Sequence, residues 1–170
     1  MERRTKGCIL FDWGDTLMRD LTEFSGPMKD WPRVEAVPGA AQVLAALHDD
    51  WLLALATNAT DSDEQDIRLA LQRVDLDHWL DKIYCYKKMG CRKPSPEFFE
   101  YILEDLGKTP DQAIMVGDYY EVDVLGAARC GLRAIWFNEG SEEEHNNDLQ
   151  RTIHELARLP DIILDLMRSS

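Results

Sequence analysis

The chain of 170 residues has no stretch approaching the roughly 18 consecutive apolar residues that a membrane-crossing helix requires. Its opening, Met1 to Lys6, leads into only a short apolar run, which predicts that it lacks a secretory signal. Cysteine is sparse and badly spaced for chemistry: Cys8, Cys85, Cys91 and Cys130 form no Cys-x-x-Cys pair, which excludes the usual thiolate metal and dithiol redox motifs. Reduced structural thiols in a cytoplasmic protein are the expectation. Basic residues are outnumbered, with 19 Lys and Arg against 32 Asp and Glu, for a net charge of −13. Such a charge repels polyanions, because nucleic-acid affinity is built on Lys and Arg neutralising phosphates; nucleic acid and anionic membranes are therefore not expected partners. Internal repeats and low-complexity segments are absent, and the one acidic run, Glu142 to Glu144, reads as a solvated turn.

What is present is a core. At 45% hydrophobic residues, the length suits a single domain over 1–170. Short apolar runs alternate with helix-period segments. Gly7 to Phe11 reads as a strand, and Ala40 to Leu47 as a helix with its apolar residues on one face. A strand at Trp51 to Ala56, a helix from about Asp63 to Val74 and a short strand at Ile83 to Cys85 follow. Pro96 opens the next helix, with Ser95 as its N-cap and Gly107 as its stop. Strands at Ala113 to Val116 and Leu132 to Phe137 flank a helix around Val122 to Cys130, and the tail from about Leu149 to Met167 reads as mostly helical. This alternation predicts an α/β fold with a mainly parallel sheet covered on both faces.

Ligands of open α/β sheets bind beyond the carboxyl ends of the strands. The polar residues there are Asp12 to Thr16, then Thr57 and Asn58, then Gly117-Asp118 through Asp123, with Arg92-Lys93-Pro94 supplying a cation at the same edge. Carboxylates for a hard cation, a lysine and a hydroxyl suit phosphoryl chemistry, and magnesium takes one or two protein carboxylates together with waters and substrate phosphate. Asp12 and Asp118 fit that role. With charge neutralised by metal and Lys93, a carboxylate can attack a phosphoryl group.

Phe11-Asp12-Trp13-Gly14-Asp15-Thr16-Leu17 resembles the first motif of the haloacid dehalogenase (HAD) superfamily. Thr57 resembles the second motif, Lys93 in Lys-Pro-x-Pro-x-x-Phe the third, and Gly117-Asp118 through Asp123 with its Gly126-Ala127 tail the fourth, in the family's order. Val37-Pro-Gly-Ala-Ala and Glu155 to Leu159 are also similar, so the resemblance spans nearly the whole chain. It implies a three-layer α/β/α Rossmann-like core and a magnesium-dependent phosphatase acting on a small phosphorylated metabolite or a phosphoprotein. Asp12 would be the nucleophile and a metal ligand, with the Gly14 carbonyl, Asp118 and Asp123 completing the metal set; Asp123 would alternatively orient Lys93 or a metal-bound water. Thr57, Asn58 and Lys93 would hold the phosphoryl group, although Thr57 also reads as a cap for the following helix. Thr16, after a tight turn, reads equally well as bonding its own backbone.

Two departures from the resemblance matter. Family phosphatases carry an acid/base Asp two residues after the nucleophile, whereas here Gly14 stands there and the nearest carboxylate is Asp15. A one-residue displacement swings the side chain elsewhere, so Asp15 is only one candidate for the acid/base, with Asp20, Glu23 or an ordered water as others. Members without that Asp include carbon–halogen and carbon–phosphorus hydrolases, which are the alternative activities; a non-catalytic metal and phospho-ligand binding protein is the third. The second departure is size: the segments between motifs are filled by core elements, leaving about 18–36 as a flap and predicting no separate cap domain, with a second copy as the other means of covering the site. Phe24, Trp31 and Pro32 in the flap are read as a lid packed on the core or as a contact surface, and Trp13 as core packing.

Overall fold

A computed structural model of the chain describes residues 5–168; the ends of the predicted 1–170 domain, and the first residues weighed for a secretory signal, lie outside the described residues. The strands are β1 (Cys8–Phe11), β2 (Leu52–Ala56), β3 (Lys82–Tyr84), β4 (Ala113–Gly117), β5 (Arg133–Phe137) and β6 (Gln150–Ile153). The helices are α1 (Ala40–His48), α2 (Glu64–Gln72), α3 (Tyr86–Met89), α4 (Pro96–Leu106), α5 (Leu125–Arg129) and α6 (Leu159–Arg168). All strand pairs are parallel, in the order β3-β2-β1-β4-β5-β6. The order reverses between β1 and β4, which is where a doubly wound sheet opens its binding crevice.

Alternation along β1 divides the core in two. Ile9 and Phe11 face the layer that holds Val43 and Leu44 of α1, Ile67 and Leu71 of α2 and Ile163 of α6. Cys8 and Leu10 face the layer that holds Phe98, Phe99 and Ile102 of α4 and Ala127 of α5. Burial among these side chains pushes the Cys8 thiol up to about 12, so it stays a protonated core residue. Asp63 caps α2 by accepting from the Asp66 N–H while Asp66 returns the bond, a capping box that fixes where the loop after β2 ends.

Three expectations need correction. The tail is not helical from Leu149: Gln150–Ile153 pairs with β5 as an edge strand, from Ala134↔Gln150 to Phe137↔Ile153. Its polar sequence lacks an apolar run because only Gln150 and Ile153 are buried. Ser95 occupies the N-cap position of α4 without a capping bond, since its hydroxyl donates to Glu97 instead. The helix expected around Val122 to Cys130 begins as a π-helical turn, Tyr120–Val124, before α5 takes over. Single π turns are frequent at functional sites, and this one carries the buried Asp123.

Candidate active site

The Asp12 N–H bonds the Val116 carbonyl at 2.9 Å, so the pairing with β4 persists one residue past β1 and delivers Asp12 to the crevice. The chain then turns tightly. The Trp13 carbonyl accepts from the N–H groups of Thr16, Leu17 and Met18, and Asp15 takes φ 57, a left-handed conformation that Asp tolerates better than most residues. Thr16 is fully buried, and its hydroxyl reaches Asp118 Oδ1 at 3.2 Å and Asp12 Oδ2 at 3.5 Å. It therefore bridges two carboxylates rather than bonding its own backbone. The sequence carried one signal for this, its place within the first motif.

Lys93 is the cation of the site. Its ammonium donates to Asp12 Oδ1 at 2.8 Å and Asp123 Oδ1 at 2.7 Å, with 1% of the side chain exposed. Burial works against its charge, but Asp12 and Asp123 outweigh that and hold its pKa above the ordinary lysine value. Asn58 fixes the backbone beneath: its amide donates to the Lys93 carbonyl and accepts from the Lys93 N–H, each at 2.8 Å. Asn58 thus holds the Lys93 backbone and also lines the cavity that holds Asp12. Thr57 lines the cavity above Asp12, and its hydroxyl accepts from the Ala59 N–H at 3.1 Å; the helix cap is Asp63, not Thr57.

Asp123 uses both oxygens, one on Lys93 and the other on the Tyr119 N–H. That geometry suits the expected orientation of Lys93, and Asp123 also stands in the acidic cluster with Asp12 and Asp118. Any side chain at position 117 would collide with the Asp123 carboxylate, which explains the glycine ending β4. Asp123 is pushed up to about 6, with burial the largest cause and Lys93 opposing it. The Asp118 carbonyl accepts from the Trp136 indole at 2.9 Å, and its carboxyl is pushed up to about 8, first by burial and then by Asp12. Ligand oxygens of Asp12, Asp118 and Asp123 lie within 4.8 Å of one another, an acidic cluster whose all-oxygen donor set fits a hard divalent cation.

Two cavities are lined by these residues. One, of about 400 Å³, is lined by Asp12, Trp13, Gly14, Asp20, Met28, Trp31 and the 57–61 loop. The other, of about 350 Å³, is lined by Asp15, Arg19, Asp118 and the 137–140 turn. Asp15 accepts from the Asp20 N–H at 3.1 Å and lines the second cavity, so the structure places it apart from the Asp12 cavity while Asp20 lines that cavity directly. The Asp20 carboxyl is raised above the ordinary value by burial and by the nearby Asp15, Asp12 and Asp61.

The segment at 18–36 packs on the core through Met18, Met28 and Trp31. Its neck is pinned by Val37 N–H to the Leu17 carbonyl and Arg19 N–H to the Glu35 carbonyl, each near 2.8–2.9 Å. Met28 and Trp31 are buried, Trp31 donates to the Gly26 carbonyl, and Arg73 after α2 donates to the Met28, Lys29 and Trp31 carbonyls. Trp13 is buried and joins the same core, with its indole donating to the Met18 sulfur at 3.2 Å.

Residues 14–131 match the family model of haloacid dehalogenase-like hydrolases. The chain belongs to that family. It is 30% identical over 129 residues to pyrimidine 5'-nucleotidase YjjG of Escherichia coli, covering 72% of this chain and 56% of the relative. It is 26% identical over 132 residues to a glyceraldehyde 3-phosphate phosphatase of Pyrococcus furiosus, covering 75% and 54%. The chain thus spans about half the length of these curated relatives. A crystal structure of a protein from Listeria monocytogenes serotype 4b superposes with a TM-score of 0.84 at 24% identity, covering 95% of this chain and 99% of the other, so the two share one fold. No helix among the described residues is long and apolar enough to cross a membrane.

Proposed function

We propose that the protein is a magnesium-dependent phosphatase that hydrolyses a phosphate monoester through an aspartyl-phosphate on Asp12. The observation that carries this reading is the placement of Asp12 on the floor of the cavity, with Lys93 on one of its oxygens and Asp118 close by. Asp12, Asp118 and the Gly14 carbonyl would hold the cation, which when bound neutralises phosphoryl charge and keeps both carboxylates ionised. Lys93 does the same from the opposite side, so the Asp12 carboxylate can approach an anion that would otherwise repel it. Thr16 keeps the two metal carboxylates in register, and Thr57 offers its hydroxyl to a phosphoryl oxygen. Asp123 and Asn58 position Lys93, by its side chain and its backbone respectively.

The names of the curated relatives support phosphate ester chemistry over the carbon–halogen alternative. The substrate is a small phosphorylated metabolite whose leaving group sits against Met28 and Trp31, with the short lid in place of a cap domain. Four free cysteines fit a reducing, cytoplasmic setting. A panel of phosphate esters assayed with magnesium tests the reading: the wild type should release inorganic phosphate, and Asp12→Asn should lose essentially all turnover while keeping its melting temperature. Turnover retained by Asp12→Asn would refute the nucleophile.

A further inference from the structure

Position 14 has no carboxylate to serve the leaving group, but the fold returns one to it from elsewhere. The tight turn at Trp13 to Met18, closed by Asp15 N–H on the Met18 carbonyl at 2.6 Å, folds the chain back so that residue 20 stands over residue 14. A Cβ built on Gly14 would lie 3.4 Å from Asp20 Cβ, 3.8 Å from its Cγ and 3.9 Å from its Oδ2. The Asp20 carboxyl therefore stands in van der Waals contact with the point from which a side chain at position 14 would start. It lines the same cavity as Asp12 and Thr57. Asp15, the nearer carboxylate in sequence, lines a different cavity and holds Asp20 in place by accepting its backbone N–H. Glu23 is committed to an exposed ion pair with Arg33.

We infer that Asp20 is the general acid and base of this site, a carboxylate supplied from the lid in place of one from the first motif. The inference rests on the phosphatase reading above. In the first step an Asp12 oxygen bonds phosphorus as the bond from phosphorus to the ester oxygen breaks, and the Asp20 carboxylic acid gives its proton to that oxygen, releasing the alcohol. In the second, a water oxygen bonds phosphorus while the Asp20 carboxylate takes the water proton. The bond from Asp12 to phosphorus breaks, releasing inorganic phosphate and restoring both aspartates.

Positioned acid/base help is worth about 10² to 10⁴ in rate, and it counts most for leaving groups that are poor without a proton. The test uses the full chain with magnesium, a series of substituted aryl phosphates and an alkyl phosphate, and reads the rate of each step. Asp20→Asn should cut alkyl phosphate turnover by about 10² or more and leave the first step on nitrophenyl phosphate within several-fold. It should also show a burst of about one nitrophenolate per enzyme, because its second step lacks the base. Glu23→Gln should change neither rate. An unchanged ratio of alkyl to aryl first-step rates in Asp20→Asn, with the wild type active, would overturn the inference and leave the phosphatase reading intact. A wild type inactive on the whole series, with no beryllium fluoride adduct on Asp12 in magnesium, would instead overturn the phosphatase reading and the inference with it. The double variant Gly14→Asp with Asp20→Ala should regain alkyl turnover relative to Asp20→Ala alone; no gain in a folded double variant would count against a carboxylate from either position serving the leaving group.

Discussion

Asp118 is the residue whose ionisation most exposes the logic of the site. Its carboxyl is raised from the ordinary 3.8 to about 8, chiefly by burial and then by Asp12. Between those values the folded protein holds a proton that the unfolded chain releases, so this group makes stability fall as pH rises through that window. A divalent cation favours the ionised carboxyl and works in the opposite direction. In metal-free protein the melting temperature should decline from about pH 5 to about pH 8, less so in Asp118→Asn, and magnesium should raise it more at the higher pH. Calorimetry showing equal magnesium shifts at both pH values would contradict this. At the same scale, Asp12, Lys93 and Asp118 were legible because each is polar directly after an apolar run or beside a helix start. Thr16 and Asn58 were less so: whether a hydroxyl or amide bonds its own backbone or another strand depends on contacts distant in sequence, such as Thr16 to Asp118 and Asn58 to Lys93.

Among the elements, the lid depends on one side chain. A single Arg73 nitrogen donates to three carbonyls of the 28–31 turn, tying the cavity wall to the end of α2. Arg73→Met keeps an apolar stem but leaves partly buried carbonyls without their donor, which should cost about 1 to 3 kcal/mol in urea unfolding. Because Met28 and Trp31 line the cavity, KM for aryl phosphates should rise while kcat changes less. Unaltered KM together with unaltered stability would show that the lid holds without this tie. Elements with strong periodicity, such as α1 and α4, were readable from the chain, as were the buried strands β1, β2 and β4. The edge strand β6 escaped because its outward residues are polar and its pairing is decided by β5. The turn that brings Asp20 over Gly14 escaped for a similar reason, since backbone bonds to the Trp13 carbonyl leave no hydrophobic pattern.

For the molecule as a whole, a charge of −13 on 170 residues means that the folded state works against its own field. Ion pairs such as Arg19 with Glu139 and Lys6 with Asp50 offset part of it, yet they are exposed enough for salt to weaken them as well. Because the excess is one-signed, repulsion is the larger quantity to be screened. The melting temperature should therefore rise as sodium chloride increases from about 10 mM to about 0.3 M, where screening shortens to several ångströms. A falling melting temperature over that range would mean that the ion pairs dominate.

The reversal of strand order between β1 and β4 has a consequence for how the molecule could be divided. The strands β3, β2 and β1 all come earlier in the chain than β4, β5 and β6. Asp12, Thr57 and Lys93 belong to the first portion, and Asp118 and Asp123 to the second. Severed in the connection near Lys108, the chain would yield one fragment with the nucleophile and the ammonium and another with the remaining acids. Neither fragment would carry the acidic cluster, so regained magnesium affinity would act as a complementation signal, reporting that two separately produced halves had joined along the β1 and β4 seam.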